Sequence, residues 1–318
     1  MKIIAPLVNV PEIMPMIKAG ADEFYFGLDT NKNTNDVNCL NVMAIDFANI
    51  RDLNIARKAI DITHENHKKI YMCVNNELYL ERQYRQIFQL LKKLERLDGI
   101  IASDPVLIKS IAASFPRLKI TVSTRANILN SYDIKYYAAL GAKRFVLPRH
   151  LYLKDIIDLV KTNSGYEFEI FIKNEDCPYI NGFCSYTHNI WNNPQGTQIF
   201  CRKGPGERKN TIRNIKVIKD VVKNSLYLNN FIKRASAMNC GACSLATLDR
   251  IDKGNIYLKL TSRMRKIDDK LKDLKFIETI KGHLSGPNAK RYFKDKVKKS
   301  YEQIYSQSCY QRCYYASR

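Results

Sequence analysis

The chain has no run of eighteen consecutive apolar residues, so nothing in it has the length and apolarity of a membrane-spanning helix. It has no tandem repeat and no low-complexity tract. Its N-terminus, Met1-Lys2-Ile3-Ile4-Ala5-Pro6, shows no signal-peptide apolar region or cleavage site, so a cytoplasmic location is expected. Motifs of hydrolytic chemistry are also missing. His64-Glu65-Asn66-His67 sets its histidines three apart, whereas a zinc-protease helix needs them four apart. No nucleophile elbow and no evident Ser/His/Asp set occurs. The first apolar run is followed by Val8-Asn9-Val10-Pro11, where a dinucleotide-binding sheet would carry a Gly-rich phosphate turn.

Acidic residues are scarce beside basic ones. The formal charge is +21 over 318 residues. A polyanionic partner such as RNA is one reading of that excess. The other is compositional, because the chain is rich in Lys, Asn and Ile and its lysines are spread along its whole length. After Arg265 there are thirteen Lys/Arg against six Asp/Glu. There Lys290–Lys299 mixes bases with aromatics, or simply forms a solvated helix face.

Short apolar runs alternate with amphipathic stretches. The runs are Lys2–Val8, Glu23–Gly27, Lys69–Val74, Gly99–Ala102, Lys119–Ser123, Arg144–Leu147 and Glu167–Ile172, rich in Ile, Val, Phe and Tyr, as buried parallel strands are. Helical patterns between them cover Pro11–Ala19, Asp46–Asn66, Leu80–Leu97, Pro105–Ser114, Ser131–Leu140 and Leu153–Thr162. Seven strands precede residue 175, and Ile256–Leu260 supplies an eighth. Eight strands alternating with helices predict a (β/α)8, TIM-like barrel, with an open doubly wound sheet as the runner-up. The expected organisation is a barrel over residues 1–265 with a cysteine-rich segment, 174–255, inserted after strand 7. A basic helical extension, 266–318, would pack on the barrel.

Barrel active sites are built on the loops that follow the strands. The 174–255 stretch is far longer than an ordinary loop of that kind, and it holds five of the nine cysteines and the only tryptophan, Trp191. The spacing is Cys177-x6-Cys184-x16-Cys201-x38-Cys240-x2-Cys243. Thiolates in this number suit an iron–sulfur cluster or zinc. Zinc sites of this type commonly show two close pairs, and the segment has one, Cys240–Cys243; on spacing alone both metals stay open. His188 is a candidate proton donor or supporting group, or a surface histidine. Cys73, inside its strand, suits a buried unligated thiol. Cys309-x3-Cys313 lies in a Tyr-rich tail; on a helix the two would face one way and could bind a second metal, cover the cluster or simply pack. Asn9, Tyr25, Asn75, Ser123, Asn127, Arg149 and Glu169 fall in or near strand ends, and Arg149 and Arg263 could clamp a carboxylate or phosphate.

Several stretches together resemble one known family. They are Ala5-Pro6-Leu7-Val8-Asn9, Ala19-Gly20-Ala21-Asp22-Glu23-Phe24-Tyr25-Phe26-Gly27, and Val122-Ser123-Thr124-Arg125-Ala126-Asn127 with Asn130. To these are added Arg144–Arg149, Glu169-Ile170-Phe171 leading to Cys177, Asn181-Gly182-Phe183-Cys184, Asn239–Cys243 and Lys259-Leu260-Thr261-Ser262-Arg263. Over most of its length the chain resembles the collagenase-like peptidase family U32, in its shorter branch, which includes ubiquinone-hydroxylation and RNA-hydroxylation proteins. Arg125 stands where the family usually has Gln, and Thr261 and Ser262 replace an acidic residue and glycine, so that carboxylate's role does not transfer. The resemblance implies a [4Fe-4S] cluster on Cys177, Cys184, Cys201 and Cys240, with Cys243 as the alternative fourth ligand and zinc as the alternative metal. It also implies oxygen-independent hydroxylation of an RNA base or a quinone-type molecule. Arg149, Arg263, Glu169 and His188 would serve the site. The implied partners are RNA, an anionic small molecule such as prephenate, and a homologous subunit. A protease, and a non-catalytic iron–sulfur partner, are the alternatives.

Overall fold

In a computed structural model of the protein, the described residues are 1–28, 48–173, 240–261, 263, 265–285, 291–309 and 313–315. Eight parallel strands close into a barrel in sequence order. They are β1 (Lys2–Pro6), β2 (Glu23–Gly27), β3 (Lys69–Val74), β4 (Gly99–Ala102), β5 (Lys119–Val122), β6 (Arg144–Leu147), β7 (Glu167–Lys173) and β8 (Ile256–Leu260). β8 pairs with both β7 and β1, with Ile3 opposite Leu258, which closes the ring. The predicted barrel is therefore the observed one, and the open sheet is excluded. No helix among the described residues is long and apolar enough to cross a membrane.

The helices between the strands are α1 (Ile13–Lys18), α2 (Leu53–Glu65), α3 (Glu81–Lys93), α4 (Pro105–Ser114), α5 (Ser131–Ala139) and α6 (Leu153–Thr162). A short α7 (Leu245–Leu248) precedes β8, and α8 (Ile267–Gly282) and α9 (Phe293–Tyr305) follow it. Their starts are written in side chains. Asp104 accepts from the Leu107 N–H at 2.9 Å, and Pro105 occupies the first turn, where a missing N–H costs nothing. Asn130 and Asp133 cap α5 reciprocally. α2 starts seven residues later than the apolar pattern suggests. Asp52 accepts from the N–H groups of Asn54 and Ile55 at 2.7 and 3.0 Å, and just upstream Ile50 pairs with Leu28 as an extended bridge. At Gly20 the backbone is left-handed (φ +105°), and an added Cβ would sit 2.4 Å from the Glu278 side chain on α8.

The main apolar core lies between the barrel and its helices. The barrel's interior is different. Ile4, Tyr25, Tyr71, Cys73, Ile101 and Tyr257 point inward. Among them sits a charged network rather than the branched aliphatic layers usual in such barrels. Arg144 is fully buried and pairs with Glu23 at 2.6 Å, Glu167 at 2.7 Å and Glu169 at 3.4 Å. Its guanidinium lies 3.7 Å from the Tyr257 ring centre and 5.0 Å from that of Tyr71. Lys259 pairs with Glu169 at 2.5 Å and covers the Tyr25 ring at 4.1 Å. Arg144, Glu23 and Glu167 are at or next to strand starts, so this network fills the end of the barrel opposite the loops expected to bear function.

Candidate active site at the barrel mouth

The residues that follow the strand C-termini form the other end. Ser123, just after β5, accepts from the Arg125 N–H at 3.3 Å and turns the chain, and Asn127 then takes a left-handed conformation (φ 55°). That turn buries Arg125, whose guanidinium pairs with Glu77. After β6, Pro148 leads to Arg149, only 2 % exposed, and His150. After β8, Thr261 donates its hydroxyl to the Lys173 carbonyl at 3.0 Å, and the buried Arg263 donates to Asn49 Oδ1 at 3.0 Å. The rim thus carries three buried guanidinium groups from the ends of β5, β6 and β8. Buried positive charge placed this way suits the recognition of a carboxylate or phosphate, which answers the guanidinium fork with two hydrogen bonds.

His150 belongs to the same rim. Burial, reinforced by the neighbouring charge of Arg149, pushes its imidazole down to about 4, so it is neutral near pH 7. Its Nδ1 is buried with no hydrogen-bond partner among the described residues. No sequence motif marks His150, and Arg125 stands out in the sequence only as a departure from the family's usual Gln. The available signal was position alone, since both lie within three residues of a strand end. Cys73 lies inside the barrel below Arg263; burial raises its thiol despite the nearby Arg263 and Lys259, so it is an inert neutral group, as expected of a strand cysteine.

Of the other anticipated site residues, Glu169 is fully buried in the interior network between Lys259 and Arg144. Tyr25 donates its hydroxyl to the Leu260 carbonyl at 2.8 Å, and Asn9 caps the first turn by accepting from the Val10 N–H at 2.9 Å. His64 ends α2 with Nε2 2.8 Å from Asp98, a polar helix end and not a metal ligand. Cys177, Cys184, Cys201, Cys39, His188 and Trp191 lie outside the described residues.

Cys240 and Cys243 are described, and they stand at the rim. Cys240 forms an antiparallel bridge with Lys173 at the end of β7 and a parallel bridge with Cys313, and Gly241 donates to the Ile172 carbonyl at 2.8 Å. The segment therefore extends β7 outward, beside the C-terminal tail. Burial pushes the Cys240 thiol up to about 11, with Lys173 opposing. Cys309 and Cys313 do not share a helix face, because α9 ends at Tyr305 and Cys313 lies in the bridge.

Residues 8–318 match the model of peptidase family U32. The "tRNA hydroxylation protein P" of Helicobacter pylori is 28 % identical over 185 residues, 58 % of this chain and 41 % of that protein. The "tRNA hydroxylation protein P2" of Bacillus subtilis is 26 % identical over 173 residues, 54 % of this chain and 52 % of that protein. A "Collagenase" of Porphyromonas gingivalis is 26 % identical over 218 residues, 64 % of this chain and 49 % of that protein. The chain spans about half the length of these relatives or less. With the family model matched over nearly the whole sequence, and a closed eight-stranded barrel beneath it, the chain belongs to peptidase family U32.

Proposed function

We propose that this protein is a cytoplasmic, iron–sulfur-dependent hydroxylase that modifies an RNA base, with tRNA as the substrate class. The observation that carries the reading is the rim itself. Arg125, Arg149 and Arg263 place buried positive charge at the barrel mouth, and the cysteine-bearing chain leaves β7 and re-enters at Cys240 on that same rim. Similarity to proteins named for tRNA hydroxylation supports the substrate class. The net charge of +21 favours a polyanion over a quinone.

Thiolate chemistry suits a [4Fe-4S] cluster on Cys177, Cys184 and Cys201, with Cys240 expected as the fourth ligand. Such a cluster would supply one-electron transfer. The chain's own residues do the rest. Arg149 and Arg263 hold an anionic oxygen donor, a dicarboxylate such as prephenate. Neutral His150 takes or gives a proton at Nδ1.

Two measurements test this. Protein purified without oxygen should hold about four iron and four sulfide per chain. tRNA from a strain lacking the gene should lose one hydroxylated base by mass spectrometry. Stoichiometric zinc without sulfide, or unchanged tRNA, would sink the reading. Cleavage of unfolded protein that survives replacement of Cys177 and Cys184 would favour the protease instead.

A further inference from the structure

Where α3 runs on into β4, the chain borders two adjoining cavities on the floor side of the barrel. One, of about 270 Å3, opens beside the starts of β3 and β5. The other, of about 640 Å3, lies between α2 and the end of α3. Glu95 and Arg96 line both, so the two form one groove. Its walls carry Arg57, Lys69, Lys92, Lys93 and Arg117, all exposed and none paired with a carboxylate among the described residues. The acids beside them are mostly answered. Asp61 pairs with Arg96, and Asp98 accepts from the Ile70 N–H and meets His64 Nε2, each at 2.8 Å. Lys119 is taken up by Glu167 at 2.7 Å. Among the described lining residues only Glu95 brings a carboxylate with no cation of its own.

The backbone of the groove is prepared for an anion. A helix C-terminus carries partial negative charge on its last carbonyls, which would repel one. Arg57 donates Nε to the Lys93 carbonyl at 3.1 Å, and Arg117 donates to the Glu95 carbonyl. Each guanidinium thus covers a carbonyl at the end of α3 and keeps further N–H donors for a ligand.

We infer that this groove holds the phosphate backbone of the RNA substrate, as a docking site separate from the barrel mouth. The inference rests on the tRNA reading above. A concave surface lined by one sign of charge focuses its field and gathers a polyanion. Lysine and arginine on phosphate carry no base preference, so the groove fixes where the RNA lies and leaves the choice of base to the mouth. α3 starts beyond β3 at the mouth and ends at the groove; its thirteen residues span about 20 Å. The reacting nucleotide does not reach that far, whereas the body of a folded tRNA does.

The test is the salt dependence of tRNA binding by the full chain, purified without oxygen. Lys69, Lys92 and Lys93 are exposed, so a K69Q/K92Q/K93Q variant keeps the fold. Losing three phosphate contacts lowers the slope of log affinity against log salt by about 2–3. From about 50 to 200 mM KCl the variant should therefore lose roughly 20–40-fold less affinity than the wild type. A K109Q/K154Q/K161Q variant removes as many exposed charges from α4 and α6 and should keep the wild-type slope. Three results would overturn the inference. They are no tRNA binding by the wild type, an unchanged slope in the groove variant, or an equal fall in the α4/α6 variant. The groove and the hydroxylase fail separately. A hydroxyl missing from tRNA of the deletion strain, with an unchanged slope in the groove variant, sinks the groove and spares the hydroxylase. Unchanged tRNA in that strain, with a lowered slope, does the reverse.

Discussion

Replacing Arg144 with Met keeps much of the side chain's volume inside the barrel and removes its charge. Arg144 is fully buried and is the common partner of Glu23, Glu167 and Glu169. Glu169 retains Lys259, and Glu167 retains Lys119 at 2.7 Å. Glu23, 3 % exposed, has Arg144 as its one ionic partner among the described residues, and without it must keep its charge buried. Breaking a buried pair from one side costs about 3–5 kcal/mol. For a chain of this size that is a fall of roughly 5–15 °C in unfolding temperature. Neutralising the orphan should recover part of the loss, so Glu23→Gln in the Arg144→Met background should be more stable than Arg144→Met alone.

The loss should also depend on pH. Burial works to raise the Glu167 carboxyl, but the Arg144 charge and the hydrogen bonds from Lys119 and Arg144 outweigh it and hold the group below its ordinary value. A carboxylate depressed in the folded state contributes stability above its unfolded value, about 4.3, and loses it as the pH falls through the folded value. Without Arg144 its share of that contribution, beside the share Lys119 keeps, is already gone at pH 7. The gap between wild type and Arg144→Met should therefore narrow as the pH falls below about 4.3. Urea unfolding at pH 7 and at acid pH measures both effects. A loss under about 1 kcal/mol at pH 7, or a double variant no more stable than the single one, would refute the account of the interior as a coupled ionic network.

Other expectations follow from single contacts. An added Cβ at Gly99 would lie 2.0 Å from the Lys119 carbonyl oxygen, a backbone atom, so Gly99→Ala should cost at least about 3 kcal/mol, read by thermal unfolding. At Gly241 a Cβ would lie 2.8 Å from the Phe171 carbonyl oxygen and 3.0 Å from the Tyr315 ring. Gly241→Ala should free the tail, and limited proteolysis should then cut near residue 309 faster while leaving the barrel intact. Asp104 both caps α4 and accepts the Tyr84 hydroxyl at 2.7 Å, so Asp104→Ala should cost about 1–2 kcal/mol by denaturant unfolding. If Arg263 grips an anionic oxygen donor, Arg263→Lys should raise KM for that donor more than it lowers kcat, because an ammonium keeps the charge but loses the fork.

The strands were legible because a parallel barrel buries both faces of each strand, which writes them as unbroken runs of Ile, Val, Phe and Tyr. β2, β3, β4 and β6 have the bounds those runs predict. Helix starts were legible where a side chain caps them, as at Asp104, and were misplaced where the apolar pattern ran on past the cap, as before Asp52. The charged residues at the strand starts could be seen but not their partnership. Glu23 and Arg144 are 121 positions apart, and only closure of the ring brings them to 2.6 Å. Arg149 and Arg263 could be named from strand-end position, because a barrel aims such residues at its mouth. Their burial, and the neutrality of His150 beside them, come from packing that no local pattern encodes. The tail thiols were the hardest to place. Their relation to Cys240 and Cys243 exists only because α9 packs on α8 and turns the chain back to β7.

The two ends of the barrel divide the protein's tasks. One end is filled by a network in which Glu23, Glu167, Glu169, Arg144 and Lys259 answer one another, with aromatic faces covering the cations. In a floor of this kind Arg144 and Lys259 are already answered by Glu23, Glu167 and Glu169. The proposed chemistry belongs to the other end, where Arg125, Arg149, His150 and Arg263 stand on turns after the strands and Cys240 rides on the extension of β7. Rim groups of that sort need a rigid support, since a site displaced by about 1 Å loses most of its advantage. The support on the β7–β8 side is the ribbon that joins Lys173, Cys240 and Cys313. That ribbon does for the rim what the ionic floor does for the opposite end, tying down the chain where it returns to the barrel at Cys240.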